Sequence, residues 1–336
     1  SSKPYHLFGS PSLEESESGL IDPPAKATPA PTRQIYLSFV QMRIRQALAA
    51  GLIAMAPALT GCLSHTHYVP KTRLATIILS TSLDQLAKEI NQRYTAIHSM
   101  NAAVEISAST GSSLQGEIKQ SVSFRGYILM RKPAYLRVLL LVPVLGTRAL
   151  DMVTDGKSFK LLIPSRHQAM VGTNQVTKPS KNGLENLRPD VFFDSMFVQG
   201  PDPDQIISMT SDTRVVDLGK KRKKDLVEEP AYAIQIMSQP EGQTVRTLRV
   251  IHIGSTDLLP YQQDIYDASG NIATKAFYSN YQYVDNTPFP TTILIERPQD
   301  HYSLTVSITK LTFDQKLEDD QFEIKIPDTY RVQTMN

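Results

Sequence analysis

The stretch Tyr302-Ser-Leu-Thr-Val-Ser-Ile-Thr309 decides how this chain is to be read. Tyr302, Leu304, Val306 and Ile308 alternate with Ser303, Thr305, Ser307 and Thr309. Successive side chains of a strand point to opposite faces, so this period places one apolar face on a core and one polar face away from it. The phase slips at Lys310, after which Leu311 and Phe313 are apolar. One extra residue in a β-bulge there accounts for the slip.

Weaker versions of the same pattern run back towards residue 120. Val122, Phe124, Ile128 and Met130 alternate with Ser121, Ser123, Arg125 and Tyr127. Residues 136–142 are nearly continuously apolar, which predicts a strand whose two faces are both covered or turned to a cavity. Further strand-like runs hold Phe159, Leu161 and Ile163, then Tyr232, Ile234 and Ile236, then residues 245–253, 259–266 and 273–284. Asp155-Gly156, Asn182-Gly183, Glu241-Gly242 and Ser269-Gly270-Asn271 supply turns between runs. Only two segments read as helix. Ser82-Leu83-Asp84-Gln85 is a capping box, followed by Leu86, Ala87, Ile90, Tyr94 and Ile97 at helical spacing, which predicts a helix over about 83–97. A second, short helix is expected around Pro189 to Phe197. Strands do not alternate with helices, so a parallel sheet is not expected. The pattern predicts an α+β fold in which a long, curved antiparallel meander wraps around helices.

The chain has 336 residues, with 35 Lys+Arg against 33 Asp+Glu and 41% hydrophobic residues. That is globular composition and excludes a wholly disordered chain, a collagen-like fibre and a multispanning helical membrane protein. The charge balance argues against a dedicated nucleic-acid binder. The single cysteine, Cys62, excludes an intrachain disulfide and a cysteine-rich zinc site. His65 and His67 have no third ligand near them in sequence and read as solvated linker, so no metal is expected.

The amino-terminal part reads differently from the rest. Residues 1–41 are rich in Ser, Glu and Pro without apolar periodicity and read as disordered, ahead of a natural start at Met42. Met42-Arg43-Ile44-Arg45-Gln46 is basic, Ala47 to Ala58 is apolar, and Leu59-Thr60-Gly61-Cys62 follows. A basic region, a short apolar region and small residues before a cut make 42–61 a signal peptide. The apolar part falls short of the about 20 residues that span a bilayer. Leu59-Thr60-Gly61-Cys62 resembles the bacterial lipobox, in which the cysteine sulfur receives lipid and the leader is removed. The competing reading is a buried helix carrying a stray cysteine. By resemblance to sorted lipoproteins, Leu63 after the cysteine implies the outer membrane, where more than one acyl chain gives stable anchoring. Residues 62–80 then form a tether, and 81–336 form the folded domain.

Catalytic motifs are missing from the sequence. Asp155-Gly156-Lys157-Ser158 lacks the earlier glycine of a phosphate loop, since Asp151 occupies that position. No Gly-x-Ser-x-Gly or His-Glu-x-x-His occurs, so neither an enzyme nor a cofactor is expected. The run Lys220-Lys221-Arg222-Lys223-Lys224 is either a solvated hairpin tip or a patch attracted to anionic headgroups. Pro143-Val144-Leu145-Gly146 places two apolar residues in a strand connection, where loops are normally polar. Either that turn folds onto the core or it offers Val144 and Leu145 to an apolar surface outside.

Several segments, in order, resemble the bacterial lipoprotein-carrier family of LolA and LolB over about residues 82–330. They are Gly126 to Pro133 with Leu136-Arg137, then Asp155-Gly156 to Pro164, Leu259-Pro260, Pro288-Phe289-Pro290, Ile295-Glu296-Arg297 and Phe322 to Pro327. The resemblance implies an unclosed, strongly curved antiparallel sheet, a half-barrel, whose concave apolar face is covered by helices. It implies an apolar cavity for acyl chains, with Val122, Phe124, Leu136, Val138, Leu140 and Phe159 as candidate lining. Lys132 stands where the family's soluble carrier has an arginine that latches the lid, and lysine lacks the planar fork of arginine. Phe159 replaces the family's tryptophan. The lipid-anchored member has a protruding Pro-Leu-Gly loop whose leucine meets the membrane, and Leu145 sits at the matching place with one inserted residue. The partners so implied are acylated lipoproteins or lipids, the inner leaflet of the outer membrane and a soluble periplasmic carrier, with no nucleic acid. The implied role is delivery of acylated cargo to the outer membrane, or lipid binding without transfer as a sensor or structural lipoprotein.

Overall fold

The computed structural model describes residues 69–112, 117–120, 122–174, 187–219 and 224–335. Cys62, the leader and residues 1–41 lie outside them, as do residues 220–223 of the basic run. In chain order the elements are β1 (Arg73–Leu74), α1 (Leu83–Ala96), β2 (Ser99–Ser112), β3 (Glu117–Gln120), β4 (Phe124–Arg131), β5 (Tyr135–Leu141), β6 (Arg148–Thr154), β7 (Ser158–Ile163), β8 (Gln168–Thr173) and α2 (Pro189–Met196). They continue as β9 (Ile206–Asp217), β10 (Leu226–Met237), β11 (Thr247–Gly254), β12 (Pro260–Tyr266), β13 (Ile272–Val284), β14 (Thr287–Arg297), β15 (Tyr302–Phe313) and β16 (Arg331–Met335).

All the described strands join one unclosed sheet. The path runs β10-β11-β12-β13-β14-β15-β2-β4-β5-β6-β7-β8-β16, with β9 along the other side of β10 and β3 continuing the pairing of β2. Every pairing is antiparallel except β1 with β10 and β16 with β8. The bulge expected near Lys310 is present: the register of β15 against β2 shifts between Ile308 and Lys310. Within the stretch expected to be a tether, 62–80, the chain pairs with the sheet from Arg73 onward. Arg73 donates to both carboxylate oxygens of Asp225 at 2.9 and 2.8 Å, and Leu79 N–H donates to Ser255 C=O at 2.8 Å.

Each helix packs its apolar face on this sheet. The Ser82 hydroxyl accepts from Gln85 N–H and caps α1, whose Leu86 and Ile90 pack with Ile234, Ile236, Ile251 and Ile253 of β10 and β11. In α2, Pro189 takes the first turn, where its missing N–H leaves no bond unmade. Val191, Phe192 and Met196 of α2 are buried with Met130, Leu136, Val138, Met152 and Phe159. The other face of β6–β8 is covered too, because Val153, Leu162 and Ala169 pack with Ile324 from the segment that follows β15. That segment is held by Arg131 donating to Leu317 C=O and by Arg137 donating to Gln321 C=O. Arg137 also forks onto the fully buried Asp151 at 2.9 and 2.8 Å, which satisfies a carboxylate that would be costly to bury alone. Two-sided burial explains why the sequence between β5 and β8 is so apolar.

Candidate functional site

The residues expected to line a cavity divide on inspection. Leu136, Val138 and Phe159 are buried, and Leu140 packs half-buried against them. They sit in the packed core with the side chains of α2, so at this place the interior is filled. Phe124 is half-buried at the start of β4. Val122 precedes β4 and is 67% exposed, so its expected place in the interior is corrected. The inward face of β4 runs from Phe124 through Gly126, Ile128 and Met130, and Gly126 is needed there because a Cβ would sit 2.0 Å from the Leu139 carbonyl oxygen.

Open apolar space lies instead beside the carboxy-terminal half of α1. A cleft of about 50 Å³ is lined by Ile90, Tyr94, Ile97, Phe197, Tyr281 and Phe289, among others. Its far wall is the β13–β14 hairpin. The pairing of β14 with β15 stops at Thr292, so Pro288 and Pro290 lie where β14 has β13 alone as partner. Proline lacks an N–H and is tolerated in such an edge position. Tyr281 donates its hydroxyl to Pro260 C=O at 2.6 Å, and burial pushes its ionisation far up, so it is a neutral wall of the cleft. A wider, more polar hollow of about 380 Å³ adjoins the cleft and shares Arg93, Leu259, Thr287 and Pro288 with it.

Two cations hold the end of α1. The Lys132 ammonium donates to the Tyr94 carbonyl, in the last turn of α1, where carbonyls have no intrahelical partner. It also stands 3.5 Å from the Tyr94 ring centroid and 5.0 Å from that of Phe197. Burial lowers its pKa to about 8, with Asp314 opposing the fall. Arg93 donates to Leu258 C=O at 2.9 Å and to Glu89 at 3.2 Å. Lys132 thus connects the end of β4 to α1, while Arg93 connects α1 to the β11–β12 turn.

α2 is held by its backbone and by Asp190. Tyr278 donates its hydroxyl to Ser195 C=O at 2.9 Å, and Gln263 donates to Asp194 C=O. Asn174 donates to the Asp190 carboxylate at 2.7 Å. Burial, then the nearby Asp194, raises the pKa of Asp190 to about 6. Burial also raises that of Asp194, against the opposing pull of Arg249.

The turn between β5 and β6 points its apolar pair outward. Val144 is fully exposed and Leu145 is 73% exposed. Gly146 N–H donates to Val142 C=O at 2.9 Å, and Val142 N–H to Thr147 C=O at 2.7 Å, so the tip is a closed turn. Val144 has φ of 69°, a left-handed conformation that is unusual for a β-branched residue. Such a residue is held at a cost of order 1–3 kcal/mol. Of the two alternatives for this turn, the outward one is the structure's.

Arg93, Tyr281 and the two prolines of β14 were missed as site residues by sequence reasoning. Pro288-Phe289-Pro290 inside a strand-like run was the available signal, because paired prolines mark backbone without a neighbour on one side. Among the described residues no group of three or more His, Cys, Asp or Glu could hold a metal ion, and no helix is long and apolar enough to cross a membrane.

The molecule is thus an unclosed, mainly antiparallel sheet with two described helices packed on it and an apolar cleft at the end of one. A family model described as an uncharacterized protein matches residues 208–325. No curated protein matches the chain. Among solved structures, it is similar to a LolA superfamily protein from Nitrosomonas europaea at 14% identity and a TM-score of 0.44, covering 71% of this chain and 97% of that one. It is also similar to a domain from Vibrio parahaemolyticus assigned to outer membrane lipoprotein sorting, at 14% identity and a TM-score of 0.39, covering 71% of this chain and 94% of that one.

Proposed function

We propose that this chain is a non-enzymatic, lipid-anchored protein of the bacterial envelope that takes up acyl chains and delivers them to the outer membrane. The anchor is lipid on Cys62, and the domain faces the periplasm. The observation that carries the reading is the β5–β6 turn, where Val144 and Leu145 are exposed at the tip of a strained, internally closed loop. An exposed apolar pair held at such a cost fits contact with a bilayer, and backbone strain of this kind clusters at functional sites.

Acyl binding is supported by the cleft under α1 and by a bend in the sheet. α2 touches β6, β13 and β14. Strands β13 and β6 are six steps apart along the sheet, about 29 Å if it were flat. α2 has eight residues and is about 12 Å long. Both ends of the path reach it only if the sheet curves around the helices. Apolar burial stabilises by about 25 cal/mol per Å², so a chain seated there is held without any covalent step.

Leu145→Glu should leave acyl binding intact and abolish transfer of acylated protein to outer-membrane vesicles in a reconstituted assay. Undiminished transfer by this variant would remove the role of the turn. The narrowness of the cleft favours a second reading, a lipid-binding sensor that does not transfer cargo. Under that reading the wild-type protein binds acyl chains and transfers none.

A further inference from the structure

The polar hollow and the apolar cleft beside α1 share Arg93, Leu259, Thr287 and Pro288, and read together they make a passage whose character changes at Arg93. The outer part, about 380 Å³, presents Gln92, Arg93, Asp257, Asn286 and Thr287. The inner part is about 50 Å³ and lies between Ile90, Tyr94, Ile97, Phe197 and Phe289. A space of that size holds about four water-sized groups, at about 10–15 Å³ each. One chain end fits it and two chains abreast do not. Arg93 is fixed at the boundary by Leu258 C=O and Glu89, which occupy two of its five N–H bonds. Three N–H bonds remain for an anion at the lip.

We propose that this passage is the entry site for a single-chain amphiphile with an anionic head. The head stays in the outer hollow against Arg93. The tail enters end first between α1 and the β13–β14 hairpin, and parts the last turns of α1 from Phe197 and Phe289 as it seats. This deepens the acyl-binding reading above and rests on it: the route in is under α1, and lipids with two or more chains side by side are not accepted there.

The test uses palmitate carrying a diazirine near its tail end, with the purified domain and the full chain. After illumination, adducts are expected on Ile90–Ile97 or Pro288–Pro290. Titration should show Arg93→Gln weakening palmitate by about tenfold, the worth of one charge-assisted hydrogen bond, while leaving the uncharged analogue hexadecanol unchanged. Arg93→Lys should recover most of the loss. A purely structural role for Arg93 would weaken both chains alike and overturn the headgroup assignment. Adducts confined to other segments would overturn the entry site and leave acyl binding standing. Failure of the wild-type protein to bind either chain would remove acyl binding itself. Binding of diacyl phospholipid at these same residues would overturn the single-chain limit.

Discussion

The sheet meets its two helices in different ways. Under α2, Val191, Phe192 and Met196, joined by Phe197, fill the space against fully buried Met130, Leu136, Val138 and Met152. Under the end of α1 the contact is thinner. Leu86 and Ile90 are buried, but Tyr94 is only half-buried, and this part of the helix is held by polar contacts through Asn91, Arg93 and Lys132 before Ile97 returns to the core. Aromatic bulk on a short helix closes a space, whereas a helix tied down by single hydrogen bonds at its end leaves one that can open. Opening under α2 loses packed apolar area; opening under the end of α1 loses less of it, around Tyr94 and Ile97, and breaks the hydrogen bonds of Asn91, Arg93 and Lys132, each with a net worth of about 1 kcal/mol, or up to about 3 when charged.

The largest test of that contrast is Phe159→Ala. Phe159 is 2% exposed in the α2 region, and its removal should cost about 3–5 kcal/mol in denaturant unfolding. A loss below about 1 kcal/mol would mean that this region is not packed as described. Next in size is Lys132→Met, which keeps the stem and removes the bond to Tyr94. It should cost about 1–2 kcal/mol and speed amide exchange in the last turns of α1 while leaving α2 unchanged. Equal acceleration in both helices would erase the distinction between them.

Smaller still is Ser82→Ala, expected to cost about 1 kcal/mol and to fray the first turn of α1 alone. The smallest effect is that of pH on α2. The pKa of Asp190 is raised to about 6, so the stability it lends is full below its ordinary carboxylate value and is lost as pH rises through 6. Asp194 acts in the same direction. Asp190→Asn should flatten the decline in stability between about pH 4 and 6, modestly because solvent reaches that side chain. A steeper decline in the variant would reverse the assigned sign.

What could be read from the sequence follows from how strongly each element carries its own pattern. The alternation of β15, its bulge and the cap of α1 all lie in a few neighbouring residues, so local spacing is enough, whereas the direction of the Pro143–Gly146 turn stays open in the sequence because spacing does not say which way a turn points. β2 was not legible, because the small Ala102 and Ala108 dilute the period of Met100, Val104 and Ile106 on its core face, and Gly111 near its end has little strand preference. β9 has almost no buried face, so no apolar period marks it. The edge strand β16 pairs in parallel with β8 across more than 150 residues of chain, a pairing that no local pattern encodes. The resemblance puts a cavity beside Phe124, Leu136, Val138, Leu140 and Phe159, in strands β4, β5 and β7, which are rich in apolar residues. β6 and β7 are apolar because both of their faces are covered, whereas β4 exposes Arg125 and Tyr127 on its outer face, and the open cleft lies where α1, the β11–β12 turn and β14 meet.

The measurement that bears most directly on the central claim is native mass spectrometry of the protein purified from envelopes without detergent. A population carrying the added mass of one acyl-bearing ligand is expected, released on mild activation and lost when Ile97→Trp narrows the cleft. A protein that is always ligand-free, or a ligand retained unchanged by that variant, would contradict it.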